Sequence, residues 1–279
     1  MKHTYYFGFM SDLKKNGAAA AARHAREMGF DSVEYLDGKN PSISPEDAPK
    51  IRRELETAGI TAACYSVGLQ LYGDSSAEDA LMRHAELCAL LGSPYLHHTL
   101  ILTPPADDPP RDAALDAVAE QAIRVADYAK TLGVTVLYEN RGFYANGIDG
   151  FGRFCRQVRA HCKSVGVCAD IGNILYACEK PVPFIDEYAR EIRHVHLKDY
   201  LHADAAQDGW RRIADGTCLF PCALGDGVVG VADCIAALSR IGYDGALGYE
   251  IETVPIEDAL TRSRSYISSL LAHEIPFYS

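Results

Sequence analysis

Short apolar runs and longer amphipathic stretches take turns along the chain. The runs have the two-residue period of a strand, and the stretches repeat apolar side chains every three or four positions, as a helix does. Strands are predicted at 4–10, 32–36, 60–67, 94–98, 134–139, 165–170, 192–200 and 246–250. One helix opens at Ser11-Asp12 and runs to Met28; another follows Ser44-Pro45-Glu46-Asp47, an N-cap, a first-turn proline and an acidic first turn. A third carries Leu81, Ala85 and Cys88 on one face. In the next, Leu115, Val118, Ala119, Ala122, Ile123 and Ala126 form one buried stripe, and a last helix covers about 256–271.

Gly29, Gly59, Gly92, Gly133 and Gly242 each stand between a helical stretch and the next apolar run, where a left-handed residue stops a helix. Such a βα repeat, eight strands alternating with eight helices, predicts an α/β fold: a single-domain (β/α)₈ TIM barrel over residues 1–279. Residues 201–230 are the exception, lacking clear periodicity and holding the only tryptophan, Trp210. Loops of that length are usually functional or disordered. This one is read as a lid, with a surface excursion or subunit contact as the alternative.

Composition narrows the class. Hydrophobic content of 48% with 23% charged residues suits a globular domain with a sizeable core. A net charge of −11 opposes binding to phosphate backbones, so neither nucleic acid nor an anionic membrane is an expected partner. The start has no signal-peptide core and no run has the length of a membrane span, so a cytoplasmic location is expected. The nine cysteines include no two-residue pairs and read as reduced, buried residues; Cys218 and Cys222 are the pair to watch.

The segment Ile192-Arg193-His194-Val195-His196-Leu197-Lys198-Asp199-Tyr200 focuses the chemistry. His194, His196 and Lys198 share one face and Val195 and Leu197 the other, as in a strand covered by helices whose inner face carries the polar groups. Glu139, Asp170, His196 and Glu250 each end a predicted strand, and barrel closure would bring them together at the carboxyl-end face. Three carboxylates and an imidazole suit Mn²⁺ or Mg²⁺, with Co²⁺ or Zn²⁺ possible, and argue against copper. For any one of them the alternative is a capped strand end or a salt bridge.

Tyr138-Glu139-Asn140-Arg141, Ala169-Asp170-Ile171-Gly172-Asn173, His194 to Asp199 and Gly248-Tyr249-Glu250 resemble signature segments of the xylose isomerase-like TIM barrel superfamily. That group holds sugar and sugar-phosphate isomerases and epimerases, with inosose dehydratases and hydroxypyruvate isomerases as relatives. The resemblance implies that Glu139, Asp170, His196 and Glu250 are metal ligands, with Mn²⁺ the expected ion, and that Glu139 and Glu250 are the acid/base pair. It implies a carbohydrate substrate, reaction through an enediolate, and a homodimer or tetramer. Proton return to the same carbon is epimerisation, return to its neighbour is isomerisation, and expulsion of a β-hydroxyl is dehydration. This chain departs from tagatose 3-epimerase-like members at three substrate-gripping positions, with Asn173 for His, His202 for Arg and Ala145 for Glu.

Lys198 is a candidate replacement cation for the substrate, or else a salt-bridge partner. Glu34 is a candidate for substrate contact or for supporting the ligands. Of His97 and His98 only one can face inward, and His98, nearer the mouth, is preferred. Tyr6, Arg141, Trp210 and Arg211 are further pocket candidates, and His194 is read as lying beneath His196. Gly225-Asp226-Gly227-Val228-Val229-Gly230 matches a dinucleotide fingerprint but follows a loop rather than a strand. The rivals to an isomerase are a lyase in the same barrel, inosose-dehydratase-like or eliminating across a 3-keto-glycoside, an apurinic-site endonuclease, and a non-catalytic barrel.

Overall fold

A computed structural model describes residues 1–205, 208–253 and 255–273. Its strands are β1 (Lys2–Tyr5), β2 (Ser32–Asp37), β3 (Thr61–Val67), β4 (Tyr95–His98), β5 (Thr135–Glu139), β6 (Val165–Asp170), β7 (Ile192–Leu197), β8 (Asp199–Ala203), β9 (Arg211–Arg212), β10 (Cys218–Cys222) and β11 (Ala246–Tyr249). Eight of them close a parallel barrel in the order β1-β11-β7-β6-β5-β4-β3-β2, and β8, β10 and β9 form a separate antiparallel sheet. The helices among the described residues are α1 (Phe9–Asn16), α2 (Ala18–Glu27), α3 (Ala48–Thr57), α4 (Ala77–Leu90), α5 (Arg111–Thr131), α6 (Ile148–His161), α7 (Pro181–Glu187), α8 (Val231–Arg240) and α9 (Ile256–His273).

The apolar core is the layer between strands and helices. Val33, Tyr35, Tyr65, Leu96, Val136, Val195 and Leu247 are buried there against the stripe predicted on α5, small alanines on α2, and Leu81, Ala85 and Cys88 on α4. Each fully buried aliphatic side chain contributes about 1.5–3 kcal/mol, so this layer carries the barrel's stability. The five glycines at helix ends all adopt positive φ, from 72° to 82°.

Four predicted features differ. The first strand ends at Tyr5, because Gly8, with φ 104°, turns the chain and Phe9, Met10 and Leu13 bury at helical spacing. The following helix is two helices, separated at Gly17 (φ 79°, ψ 164°). Ser44 caps a turn rather than a helix: its hydroxyl accepts the Asp47 N–H and donates to the Asp47 carboxylate, and α3 begins at Ala48 with Pro49 in its first turn. Residues 201–230, of which 206 and 207 lie outside the described residues, contain most of the antiparallel sheet. A two-residue β9 and Pro221 inside β10 leave too little alternation for sequence periodicity to reveal it.

Candidate metal centre

Parallel pairing sets the level of each side chain. Asp170 stands opposite His196, and His196 opposite Gly248, so Glu250 lies just beyond the same level; Glu139 is opposite Cys168, two residues before Asp170. One donor atom from each of Glu139, Asp170, His196 and Glu250 lies within 4.8 Å of the others, and all four residues are buried. His196 Nδ1 is 3.1 Å from Glu139 Oε1 and 3.3 Å from Glu250 Oε2.

This donor set fits a divalent ion. Oxygen ligands sit roughly 2.0–2.6 Å from a hard dication, so donors sharing one ion are at most about 5 Å apart. Glu139 Oε2, Asp170 Oδ2 and Glu250 Oε2 are buried without a hydrogen-bond partner, a costly state for carboxylate oxygens unless positive charge is close. Lys198 reaches the same place: its Nζ is 2.8 Å from Glu250 Oε1, 3.1 Å from Asp170 Oδ2 and 3.2 Å from Asn173 Oδ1. Burial pushes the Asp170 carboxyl up to about 7, reinforced by Glu139 and Glu250, even with Lys198 beside it. Glu139 behaves differently, because the imidazoles of His196 and His97 against its oxygens and the charge of Arg141 overcome burial and hold it well below the usual carboxylate range.

A second tier of inward residues supports the first. Glu34 Oε1 is 3.0 Å from His196 Nε2, and Glu34 Oε2 is 2.7 Å from His194 Nε2. Ser66 Oγ donates to Glu34 Oε1 at 2.5 Å and lies 2.8 Å from His97 Nδ1. With its proton spent on Glu34, Ser66 accepts the N–H of His97 Nδ1, which turns His97 Nε2 toward Glu139 Oε2 at 3.2 Å. Tyr6 stacks on His196 with centroids 4.9 Å apart.

Several predicted positions are corrected. His97 and not His98 faces the interior: His98 lies edge-on to Tyr138 and its Nδ1 is 3.0 Å from the Thr99 carbonyl, on the helix side. Of the two roles expected for Glu34, support of the ligands fits its place, fully buried beneath His196, and substrate contact does not. His202 is exposed on β8, 4.0 Å from Asp204, and Trp210 packs on Phe220 of the small sheet; neither reaches the four donors. Arg211 pairs with Glu252, two residues beyond Glu250, so it ties the small sheet to the rim. Arg141 Nη1 is 3.8 Å from Glu139 and 3.7 Å from Glu250. It lines a cavity of about 210 Å³ with Tyr6, Phe7, His97, Leu102 and Glu250. Asn173 is buried and joins Lys198 to Glu139, donating to Glu139 Oε1 at 3.2 Å.

A family profile described as xylose isomerase-like TIM barrel matches residues 22–270. The chain belongs to the xylose isomerase-like TIM barrel family. It is 22% identical over 251 residues to an inosose dehydratase of Lacticaseibacillus casei, covering 82% of this chain and 83% of that protein. Its fold is similar to that of D-psicose 3-epimerase with D-tagatose from Clostridium cellulolyticum H10 (TM-score 0.75, 15% identity, 98% of this chain and 99% of the other). It is also similar to a xylose isomerase-like TIM barrel protein from Mycobacterium smegmatis in complex with magnesium (TM-score 0.71, 20% identity, 94% and 91%).

Within this xylose isomerase-like barrel the glycine-rich stretch has an internal role. The Asp199 carboxylate accepts the N–H groups of Gly225, Gly227 and Val229 at 2.9–3.1 Å, so the loop cradles a carboxylate of its own chain rather than a phosphate. Cys218 and Cys222 are buried free thiols in β10, facing Ala203 and Asp199 in register. Ser66 is not legible in the sequence, because a serine in an apolar strand carries no signal. His97 could have been found by anchoring the alternation on Leu96, whose helix-facing side His98 must share. No described helix is long and apolar enough to cross a membrane.

Proposed function

We propose that this chain is a divalent-metal-dependent isomerase or epimerase of a sugar or sugar phosphate. It would remove and return a proton at a carbon beside a carbonyl, with Glu139, Asp170, His196 and Glu250 holding the ion. The observation that supports the reading is that these four donors converge, with Glu250 also lining the cavity beside Arg141. Three carboxylates with one imidazole favour Mn²⁺ or Mg²⁺. A bound dication supplies the positive charge that stabilises negative charge developing on adjacent substrate oxygens.

The chain's own groups do the rest. One of Glu139 and Glu250 takes the carbon-bound proton and the other returns it. Arg141, near both, and Lys198, against Glu250, orient the substrate's hydroxyls by donating hydrogen bonds. Tyr6, stacked on His196, excludes water from that side.

A second reading, dehydration in the same site, is favoured by Lys198. Its ammonium lies against Glu250 and can donate to a departing hydroxyl, while the epimerase gripping positions hold Asn173, Ala145 and His202. The similarity to an inosose dehydratase over 82% of this chain also supports it. Incubation of Mn²⁺-loaded protein with a panel of ketoses and inososes in D₂O separates the two. Deuterium at carbon without water loss is expected; water loss supports dehydration, and no exchange with any substrate overturns both.

A further inference from the structure

The strongest unassigned feature is the hydrogen-bonded tier beneath the four donors, and the structure assigns Glu34 the part of a positioning residue that decides which nitrogen of His196 faces the ion. This rests on the metal-centre reading above. His196 has its Nδ1 toward Glu139 and Glu250 and its Nε2 toward Glu34 Oε1. An ionised carboxylate accepts only, so an ionised Glu34 requires the proton on Nε2 and leaves the Nδ1 lone pair for a cation. Carboxylate partners of this kind fix the tautomer and ring orientation of a ligating histidine and raise its basicity.

Glu34 is itself held in place. Its other oxygen meets His194 Nε2 at 2.7 Å, and Ser66 donates to Oε1. A Cβ at Gly248 would stand 2.7 Å from Glu34 Oε2, 3.1 Å from His194 Nε2 and 3.1 Å from His196 Cδ2. The glycine in Gly248-Tyr249-Glu250 therefore makes the room in which the carboxylate and both rings meet. Glu34 comes from β2 and the histidines from β7, which are not neighbours in the barrel, so the contact crosses its interior.

The test uses full-length protein and two readouts. In Mg²⁺-loaded wild-type protein, ¹⁵N–¹H spectra of the imidazoles should show His196 protonated on Nε2 and bare on Nδ1; the opposite tautomer overturns the assignment without any variant. Mn²⁺ titration followed by water-proton relaxation should give a dissociation constant about 10- to 100-fold weaker for Glu34→Gln, because one amide oxygen cannot accept from both imidazoles. Cys88→Ala, a substitution on the helix side of the barrel, should stay near wild type. A folded Glu34→Gln that binds Mn²⁺ as wild type does sinks the positioning role. If His196→Ala also leaves Mn²⁺ affinity unchanged, the metal centre itself is absent, which is a different failure with a different signature.

Discussion

The two halves of the barrel contribute unlike chemistry to one centre. The later strands, β5, β6, β7 and β11, lead into charged or imidazole groups whose donor atoms converge at the mouth. The earlier ones supply Tyr6, Glu34 and His97, which touch those donors from beside or below, and Ser66, which joins Glu34 to His97. The difference teaches that a candidate ligand and the carboxylate that touches it can be encoded far apart: Glu34 is 162 residues from His196 in sequence and 3.0 Å away in space. The halves meet because β4 pairs with β5 and β1 with β11.

The comparison is tested most severely by the acid/base pair. Glu139→Gln and Glu250→Gln should each slow deuterium exchange into substrate by roughly 100- to 10,000-fold, measured by NMR, with the fold retained. Either variant exchanging at the wild-type rate would remove that carboxylate from the chemistry. Metal removal comes next: Mn²⁺ at about 100 times its dissociation constant should raise the melting temperature by roughly 5–10 °C, and Asp170→Ala should abolish most of that shift in calorimetry. An Asp170→Ala protein that still responds fully would place the ion elsewhere.

The first half is tested by contrasting neighbours on one strand. His97→Gln should weaken Mn²⁺ binding by roughly tenfold or more, whereas His98→Asn should leave it near wild type. His98→Asn should instead change acid stability. Burial lowers the His98 pKa from 6.5 to about 4, so it stays neutral in the folded protein while the unfolded chain takes up its proton below 6.5. Its contribution is therefore full above pH 6.5 and is lost as pH falls toward 4, on the order of 3 kcal/mol. Denaturant melts of the variant should lose that acid slope. The smallest effect is expected at Arg211→Ala, where a partly exposed ion pair with Glu252 contributes less than about 1 kcal/mol. A larger loss in thermal melts would mean that the small sheet is integral to the barrel.

Much of the site was legible because barrel geometry turns strand-terminal polar residues into neighbours. Glu139, Asp170, His196 and Glu250 stood out as polar ends of apolar runs, and the alternation in His194-Val195-His196-Leu197-Lys198 assigned faces correctly. At Tyr95-Leu96-His97-His98 nearness to the mouth outweighed the alternation, and a one-residue choice exchanged the inward and outward histidine. The small sheet is not legible in the sequence because its shortest strand has two residues and its loop is held by a side-chain carboxylate, which has no periodic trace.

What the sequence determined by itself was local: periods, helix stops, and hence the repeat that closes into a barrel with its later polar ends at one mouth. Only the tertiary structure decided which inward groups share protons, that Lys198 lies among the carboxylates, and that Glu34 meets two histidines across the interior. The physical reason is range. Backbone propensity and hydrophobic alternation act between residues a few positions apart, whereas a buried charge is satisfied by whatever donor the closed barrel brings within 3 Å, and chain separation says nothing of that.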